Sequence, residues 1–277
     1  MTKTLEDFYR HKEIYIKLPT EGKWYTSQTN LNDQNEIGIR PLSFKDEMLL
    51  SIPDSIYNGQ SLFEILKSIL PDMENPYEIL MPDVDVVLLA SRINSNEGEM
   101  SVDAKCTHCG TQEQYNIKIV NILNQMKTIN PIELELSNGL VVSFKPNSLR
   151  SVTTNQIKIS EVASILANFD KDDDPAKQHE LFSDSLERSA AANIVLIADT
   201  IEYILLPSGD KITDIQPILD WISNSDSRTV NQLQEMSNQV NQNGLDKNFK
   251  FECSNEECGK EFNMEVEFNP TFFFTNN

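Results

Sequence analysis

Two cysteine motifs, Cys106-Thr-His-Cys109-Gly110 and Cys253-Ser-Asn-Glu-Glu-Cys258-Gly259, contain all four cysteines of this 277-residue chain. In each motif a short turn separates two sulfur atoms, and a glycine follows the second cysteine. Tetrahedral zinc takes four thiolates at about 2.3 Å, and two such turns can supply them. The glycine permits a left-handed backbone, which lets main-chain N–H groups point at the sulfurs. We therefore expect one structural Zn²⁺ site with four ligands: Cys106, Cys109, Cys253 and Cys258.

Two disulfides and a redox-active dithiol are the alternative interpretations of these cysteines. A redox Cys-x-x-Cys motif usually lies at the start of a helix that follows a strand. A redox role for Cys106 and Cys109 would also assign no function to the second pair, Cys253 and Cys258. Disulfide staples are typical of small secreted chains, whereas this chain is long and shows no apolar signal segment. We therefore expect a reducing cytoplasm. His108 could replace a cysteine as ligand, but with four thiolates present we expect it to face solvent.

Length and charge limit the class of protein. The chain is long enough for two modest domains, and a hydrophobic content of 39% is ordinary for a folded protein. No apolar run approaches the roughly 18 residues of a membrane span. The formal charge of −20 opposes contacts with phosphate and argues against a zinc ribbon that binds nucleic acid. An acidic surface of this kind suits basic or mixed-charge partners.

The hydrophobic pattern predicts a mixture of helices and strands. Ser43, followed by Asp46, resembles a helix N-cap, and Asn138-Gly139 between two β-rich runs predicts a hairpin. Polar residues 238–248 are expected to form a linker. The expected strands are at 14–19, 37–40, 115–119, 132–136, 140–144 and 201–214, the last with a turn. The expected helices are at 44–51, 62–70, 82–93, 152–169 and 180–198, with two more around Leu219–Ile222 and Val230–Met236.

One cysteine motif follows the first helical region and the other follows the second, so zinc would join distant parts of the chain. The expected fold class is α+β, with two mixed helical and β lobes joined by a discontinuous four-cysteine zinc ribbon. Residues 115–119 and 262–268 are expected to pair with each other as its strands. We call the turn formed by each cysteine motif a knuckle. The expected segments are a strand and helix lobe (1–100), the first knuckle and hairpin (101–148), a helical lobe (149–243), and the second knuckle and aromatic tail (244–277).

No catalytic centre is expected. The chain lacks a Gly-rich phosphate loop, a Gly-x-Ser-x-Gly motif and a His-Glu-x-x-His motif, and its three histidines are scattered. Asp83, Asp85 and the acidic run 172–174 could bind a cation, but carboxylates at helix starts are usually caps and charge runs are usually solvated. A zinc ion with four thiolates also has no open position for water.

The C-terminal segment carries three consecutive aromatic residues, Phe272, Phe273 and Phe274. Aromatic side chains near a chain end are costly to leave exposed. They could pack beneath the zinc ribbon as an anchor, or they could form a patch that a partner buries. Both interpretations remain open at this point, and these three residues are the candidate partner-binding residues.

Several further stretches resemble one known family. They are Leu18-Pro19-Thr20-Glu21-Gly22-Lys23-Trp24-Tyr25, Ile39-Arg40-Pro41-Leu42-Ser43, the helix at 85–92, Leu136-Ser-Asn-Gly139, Leu206-Pro-Ser-Gly209-Asp and Cys258-Gly259 with Phe272-Phe273. In their order and spacing the chain resembles the T4-like bacteriophage baseplate hub assembly proteins, also called T4 base plate proteins. It departs from that family in the four-residue gap of the second cysteine motif, and in Ser95-Asn96-Glu97-Gly98, where an aromatic residue would be expected.

The resemblance implies a non-enzymatic late viral protein that helps to build the central hub of a contractile tail. Its role would be that of an assembly chaperone or a minor hub component. The implied partners are other phage baseplate hub or tail proteins, without nucleic acid or membrane. The implied location is the host cell cytoplasm during assembly, with the virion baseplate as a second location. The alternative from another class is a zinc-ribbon adaptor in transcription or nucleic-acid handling.

Overall fold

The computed structural model describes residues 10–25, 29–50, 59–93, 98–167, 175–242 and 244–266. The chain divides into two compact units. Unit 1 combines Met1–Ile129 with Asn243–Asn277, and unit 2 is Asn130–Gln242. Both units contain helices and strands, so the predicted α+β class is confirmed. The predicted four-segment division is finer than these units and stays a prediction.

The first part of unit 1 packs a small sheet against helices. Strand β1 (Ile14–Lys17) pairs antiparallel with β2 (Glu36–Ile39), and α1 (Phe44–Leu50) and α2 (Gln60–Ile69) follow. A short 3-10 turn, Pro76–Glu78, leads into α3 (Met81–Ser91), which packs on β1 and β2. Pro82 is the second residue of α3, where its fixed φ suits the first turn, and most residues of this helix are buried.

The predicted N-cap at Ser43 is present at the start of α1. The backbone N–H of Ser43 donates to Asp46 Oδ2 at 2.8 Å, and the backbone N–H of Asp46 donates to Ser43 Oγ at 3.2 Å. Asp46 is buried, and it also receives hydrogen bonds from Arg10 Nη1 at 2.9 Å and from Ser68 Oγ at 3.0 Å. A single carboxylate therefore fixes the start of α1 and ties it to α2.

Asp83, in the first turn of α3, holds the turn that follows β1. Its fully buried carboxylate accepts hydrogen bonds from Thr20 N at 3.1 Å, Thr20 Oγ1 at 2.6 Å and Tyr25 OH at 2.7 Å. Tyr25 OH in turn accepts a hydrogen bond from Leu80 N at 2.9 Å. Burial raises the pKa of Asp83 to about 6 and also raises that of Tyr25. Asp83 is thus part of a structural network.

Asp85, the other carboxylate considered for a cation, lies two residues after Asp83 and therefore on nearly the opposite side of α3. Its Oδ2 is 3.6 Å from Lys247 Nζ, on the C-terminal segment of unit 1. Burial raises the pKa of Asp85 to about 6, and Lys247 opposes this shift. The two carboxylates therefore have different partners, and each links α3 to another part of unit 1.

Each cysteine motif lies at the tip of its own hairpin. Strand β3 (Glu99–Lys105) pairs with β4 (Gln112–Lys118), which runs into the short helix α4 (Ile119–Leu123). Strand β9 (Asn248–Glu252) pairs with β10 (Glu261–Glu265). The prediction that the strands after the two motifs pair with each other is therefore wrong. The short turn inside each motif reverses the chain, so the strand after the motif pairs with the strand immediately before it.

The two hairpins meet through aromatic side chains. The Tyr115 ring centroid lies 5.0 Å from that of Phe251 and 6.0 Å from that of Phe262. Val86 and Leu89 of α3 belong to the same buried cluster. The hairpins are thus held together by side-chain packing, without β-ladder hydrogen bonds between them among the described residues.

Unit 2 consists of an antiparallel sheet with helices. Strands β5 (Ile132–Glu135), β6 (Val141–Phe144), β7 (Ile201–Leu205) and β8 (Lys211–Ile212) lie in that order. The β5–β6 hairpin turns at Asn138-Gly139, as predicted, and Gly139 has φ 82°. Helices α5 (Leu149–Ala167) and α6 (Pro175–Thr200) connect β6 to β7, and α7 (Ile215–Ser223) and α8 (Ser227–Gln242) follow β8.

The predicted linker at 238–248 begins too early. Helix α8 continues to Gln242 because its buried stripe, Leu233, Ser237 and Val240, extends that far. After it, Lys127 N donates to Gly244 O at 2.7 Å, so the chain returns to unit 1 beside the place where it left. None of the helices in the described parts of the chain is long and apolar enough to cross a membrane.

Candidate metal centre

The four cysteine sulfurs form one cluster, with all Sγ atoms within 4.8 Å of one another. Cys109 Sγ lies 3.5 Å from Cys253 Sγ, and Cys106 Sγ lies 4.0 Å from Cys258 Sγ. Tetrahedral zinc with bonds of about 2.3 Å separates its sulfurs by about 3.8 Å. A disulfide requires about 2.05 Å. The cluster is therefore compatible with a bound metal ion and contains no disulfide.

The first knuckle is closed by main-chain hydrogen bonds. Cys106 N donates to Thr111 O at 2.8 Å, and Gly110 N donates to Cys106 O at 2.9 Å. Gly110 has φ 79°, the left-handed conformation for which glycine is favoured. His108 N donates to Cys106 Sγ at 3.4 Å, so a main-chain N–H does point at a sulfur, as the motif predicts.

The second knuckle accommodates its longer gap by a local turn. Asn255 Oδ1 accepts a hydrogen bond from Glu257 N at 3.0 Å, and Asn255 O accepts one from Cys258 N at 2.8 Å. Cys253 N donates to Lys260 O at 3.0 Å, and Gly259 has φ 51°. The additional residues are folded into this turn, so Cys258 still reaches the sulfur cluster.

Polar side chains link the two knuckles directly. Asn255 Nδ2 donates to Thr111 Oγ1 at 3.4 Å, and Ser254 Oγ donates to Glu113. His108 Nε2 lies 3.1 Å from Glu261 O, and His108 is exposed. The imidazole thus contacts the backbone of the other hairpin, and it is not part of the sulfur cluster. Sequence reasoning missed Thr111, Ser254 and Asn255, although their polar side chains lie within two residues of a cysteine.

The sulfurs do not share one electrostatic environment. Thr111 Oγ1 is 3.2 Å from Cys109 Sγ, and hydrogen bonding from Thr111 lowers the pKa of this thiol to about 6. A hydrogen bond from the Asn255 backbone lowers the pKa of Cys253, but burial and the neighbouring sulfurs raise it, to about 12 in total. The pKa of Cys258 is also raised. Thiolates this close repel one another, and a divalent cation among them would remove that repulsion.

The cluster has a buried side and an exposed side. Cys106 and Cys253 are buried and belong to the same core as Phe251 and Phe262, whereas Cys109 is exposed. All four cysteines lie in unit 1. The cluster therefore joins the two sequence segments of this unit, rather than one unit to the other. The candidate residues Phe272, Phe273 and Phe274 and the acidic run 172–174 lie outside the described residues.

Comparison with known families identifies the class of protein. The profile described as T4 bacteriophage base plate protein matches residues 13–274, nearly the whole chain. The chain belongs to this family, and the resemblance seen in the sequence motifs is confirmed at that level. It is thus a T4-like phage baseplate protein. A comparison with curated proteins finds no significant match, and a comparison with solved structures finds none.

Proposed function

We propose that this baseplate protein is a non-enzymatic tail morphogenesis factor that assists assembly of the central hub. It acts as an assembly chaperone or as a minor hub component. The family match over residues 13–274 is the observation that carries this proposal. The expected partners are other baseplate hub or tail proteins. The host cell cytoplasm is the expected location during assembly.

The second part of the proposal is that Cys106, Cys109, Cys253 and Cys258 bind a structural Zn²⁺. A site made of four thiolates favours zinc over the hard cations Mg²⁺ and Ca²⁺, which prefer oxygen. Four protein ligands saturate a tetrahedral ion, so it has no open position for a reacting water. The spacing of the sulfurs and the turns that position them support this assignment. The metal would stabilise unit 1 by linking its two segments.

The third part concerns the partner surface. The net charge of −20 suits a protein that keeps a basic or aggregation-prone partner in solution. Phe272, Phe273 and Phe274 remain the candidate residues for such a contact. No nucleic acid or membrane is proposed as a partner, since the acidic charge would oppose phosphate-rich surfaces.

Mass spectrometry of purified mature particles tests the hub role. Peptides of this protein at a few copies per particle would identify a hub component. Abundance in the infected-cell lysate with absence from particles would identify an assembly chaperone. In parallel, hub formation is measured in cells infected with phage that lacks the gene. Normal yields of complete hubs without the protein would refute the proposal in both forms.

A further inference from the structure

One residue of the cysteine cluster is open to solvent. Cys109 is exposed, whereas Cys106 and Cys253 are buried. Cys109 is followed by Gly110, and a Cβ atom added there would meet only Lys105 Cε, at 3.9 Å, outside the adjacent residues. A small reagent dissolved in water can therefore reach Cys109, while the core shields the buried pair.

The sulfur of Cys109 faces a sulfur of the other hairpin. Cys109 Sγ lies 3.5 Å from Cys253 Sγ, so an approach of about 1.5 Å would bring them to the length of a disulfide bond. Cys106 Sγ is oriented differently. It accepts a hydrogen bond from His108 N at 3.4 Å and lies 4.0 Å from Cys258 Sγ. The geometry thus pairs the exposed cysteine with the first cysteine of the second knuckle.

Contacts between the two hairpins hold these sulfurs opposite each other. Thr111 Oγ1 lies 3.2 Å from Cys109 Sγ and accepts a hydrogen bond from Asn255 Nδ2 at 3.4 Å. One buried cluster, which includes Phe251 and Cys253, also contains residues of both hairpins. None of these contacts involves a metal ion, so the juxtaposition of the two sulfurs does not depend on one.

We propose that Cys109 is a site of oxidative modification, at which a peroxide oxidises the sulfur and Cys253 then forms a disulfide with it across the two hairpins. In the first step the Cys109 thiolate attacks one oxygen of hydrogen peroxide and the O–O bond breaks. The sulfur loses two electrons, and the products are a sulfenic acid and hydroxide. In the second step the Cys253 thiolate attacks the Cys109 sulfur, the S–S bond forms, and the S–O bond breaks with loss of hydroxide. In total, two thiols and one hydrogen peroxide give one disulfide and two water molecules.

This modification goes beyond the proposed function and needs no bound metal, because the exposure of Cys109 and its distance from Cys253 carry it. It differs from a Cys106–Cys109 redox dithiol, since the new bond joins the two sequence segments of unit 1. Only two of the four candidate ligands remain thiolates, so the oxidised chain cannot hold a four-thiolate metal ion. The segments stay joined covalently, by a cross-link that closes a long loop.

Mapping of the disulfides in the full-length protein tests the proposal. The reduced protein is treated with hydrogen peroxide, its remaining thiols are alkylated, and it is digested without reduction. Cleavage after glutamate separates Cys253 from Cys258, and tandem mass spectrometry distinguishes Cys106 from Cys109. We expect Cys109 linked to Cys253, with the other two cysteines alkylated. The same treatment in urea with a chelator is the control, and it should give a mixture of pairings.

Three variants assign the roles of the individual sulfurs. Cys109→Ser and Cys106→Ser are a matched pair, because each removes one candidate ligand from the same knuckle. Cys109→Ser should lose the disulfide between the hairpins, and Cys106→Ser should keep it. In Cys253→Ser, dimedone, which reacts with sulfenic acids, should label Cys109. Circular dichroism checks that each variant is folded, and the mapping of the unsubstituted protein decides the question where a variant is not.

Zinc measured before and after peroxide treatment separates this inference from the zinc assignment. A Cys109–Cys253 disulfide that forms with release of zinc supports both. The same disulfide in a protein that held no metal supports the inference and overturns the zinc assignment. Whatever the metal content, the inference is overturned by four intact thiols or by a main disulfide that involves Cys106 or lies within one knuckle. The same mixture of pairings in folded and urea-treated protein also overturns it.

Discussion

Replacing Asp83 with alanine should destabilise unit 1 through a defined set of hydrogen bonds. The carboxylate accepts hydrogen bonds from Thr20 N, Thr20 Oγ1 and Tyr25 OH, and Thr20 is completely buried. Alanine leaves these donors without an acceptor, and each buried unsatisfied donor costs about 1–3 kcal/mol. Tyr25 OH keeps its contact with Leu80 N, so we expect a total loss of about 3–5 kcal/mol in the free energy of unfolding.

The cost of this substitution should depend on pH. The pKa of Asp83 is about 6 in the folded protein, compared with about 3.9 in an unfolded chain. The folded state therefore holds the proton more tightly. The stability that this protonation contributes is complete below about pH 4 and is lost as the pH rises through about 6. Between about pH 5 and pH 7 the free energy of unfolding of the parent should fall by about 1 kcal/mol more than that of the alanine variant.

Urea denaturation at about pH 5 and pH 7, with the same metal content in all samples, measures both effects. Asp83→Asn is the informative companion, since it keeps the shape and one acceptor oxygen but removes the titration. Asp103→Ala, at an exposed position of β3, should change stability by less than about 0.5 kcal/mol. An Asp83→Ala cost below about 1 kcal/mol, or the same cost at both pH values, would contradict the role assigned to this carboxylate.

Other perturbations address the candidate metal centre and the β5–β6 hairpin of unit 2. The purified protein should contain about one zinc per chain by elemental analysis, and Cys106→Ser should lower both metal content and melting temperature. If the parent holds no metal and the variant melts unchanged, the zinc assignment is wrong. His108→Ala should keep the metal, since the imidazole lies against Glu261 O. Thr111→Val should weaken metal retention in a chelator competition by roughly 10–100-fold, and Thr111→Ser should restore it; equal weakening by serine would point to packing instead. Gly139→Ala should cost about 1 kcal/mol in denaturant unfolding because of its φ of 82°, with Gly139→Asn better tolerated; no difference between these variants would contradict the strain argument.

Local chemistry explains the features that the sequence predicts correctly. Ser43 and Asp46 cap a helix because a hydroxyl and a carboxylate three residues apart can satisfy each other's backbone N–H. Asn138-Gly139 turns a hairpin because glycine accepts a positive φ. The cysteine motifs predict that four sulfurs meet, and the structure places them together. Each of these signals is contained within a few neighbouring residues.

Among the errors, the one closest to the cysteine cluster concerns which strands pair. Apolar and polar residues alternate over 115–119, but this pattern does not identify the strand that pairs with them. Neither β3 nor β9 is among the strands expected from the sequence. A signal for both was present. Buried Met100, Val102 and Ala104 alternate with more exposed residues up to Cys106. Buried Phe249 and Phe251 alternate in the same way with exposed residues up to Cys253. Once these strands are recognised, the cysteine turns become hairpin turns, and each strand has a local partner.

The buried network around Asp83 had no sequence signal of comparable strength. Thr20 and Asp83 are far apart in the sequence, and a carboxylate in the first turn of a helix is usually an exposed cap. Only the packing of α3 against β1 and β2 brings the turn over this carboxylate. The family resemblance did include the stretch from Leu18 to Tyr25, and the structure gives a physical reason for its composition: Thr20 and Tyr25 supply the hydrogen bonds that Asp83 accepts.

The interrupted sequence of unit 1 has a consequence for synthesis on the ribosome. Cys109 and Cys253 are 144 positions apart, and all of unit 2 is translated between them. At about 5–20 residues per second, the first cysteine pair is made roughly 7–30 s before its counterpart. During that interval the nascent chain carries half of the candidate metal site, with two thiols available to other metal ions or oxidants. The order of translation therefore makes unit 1 the last part of the protein to be completed, although most of its residues are made first.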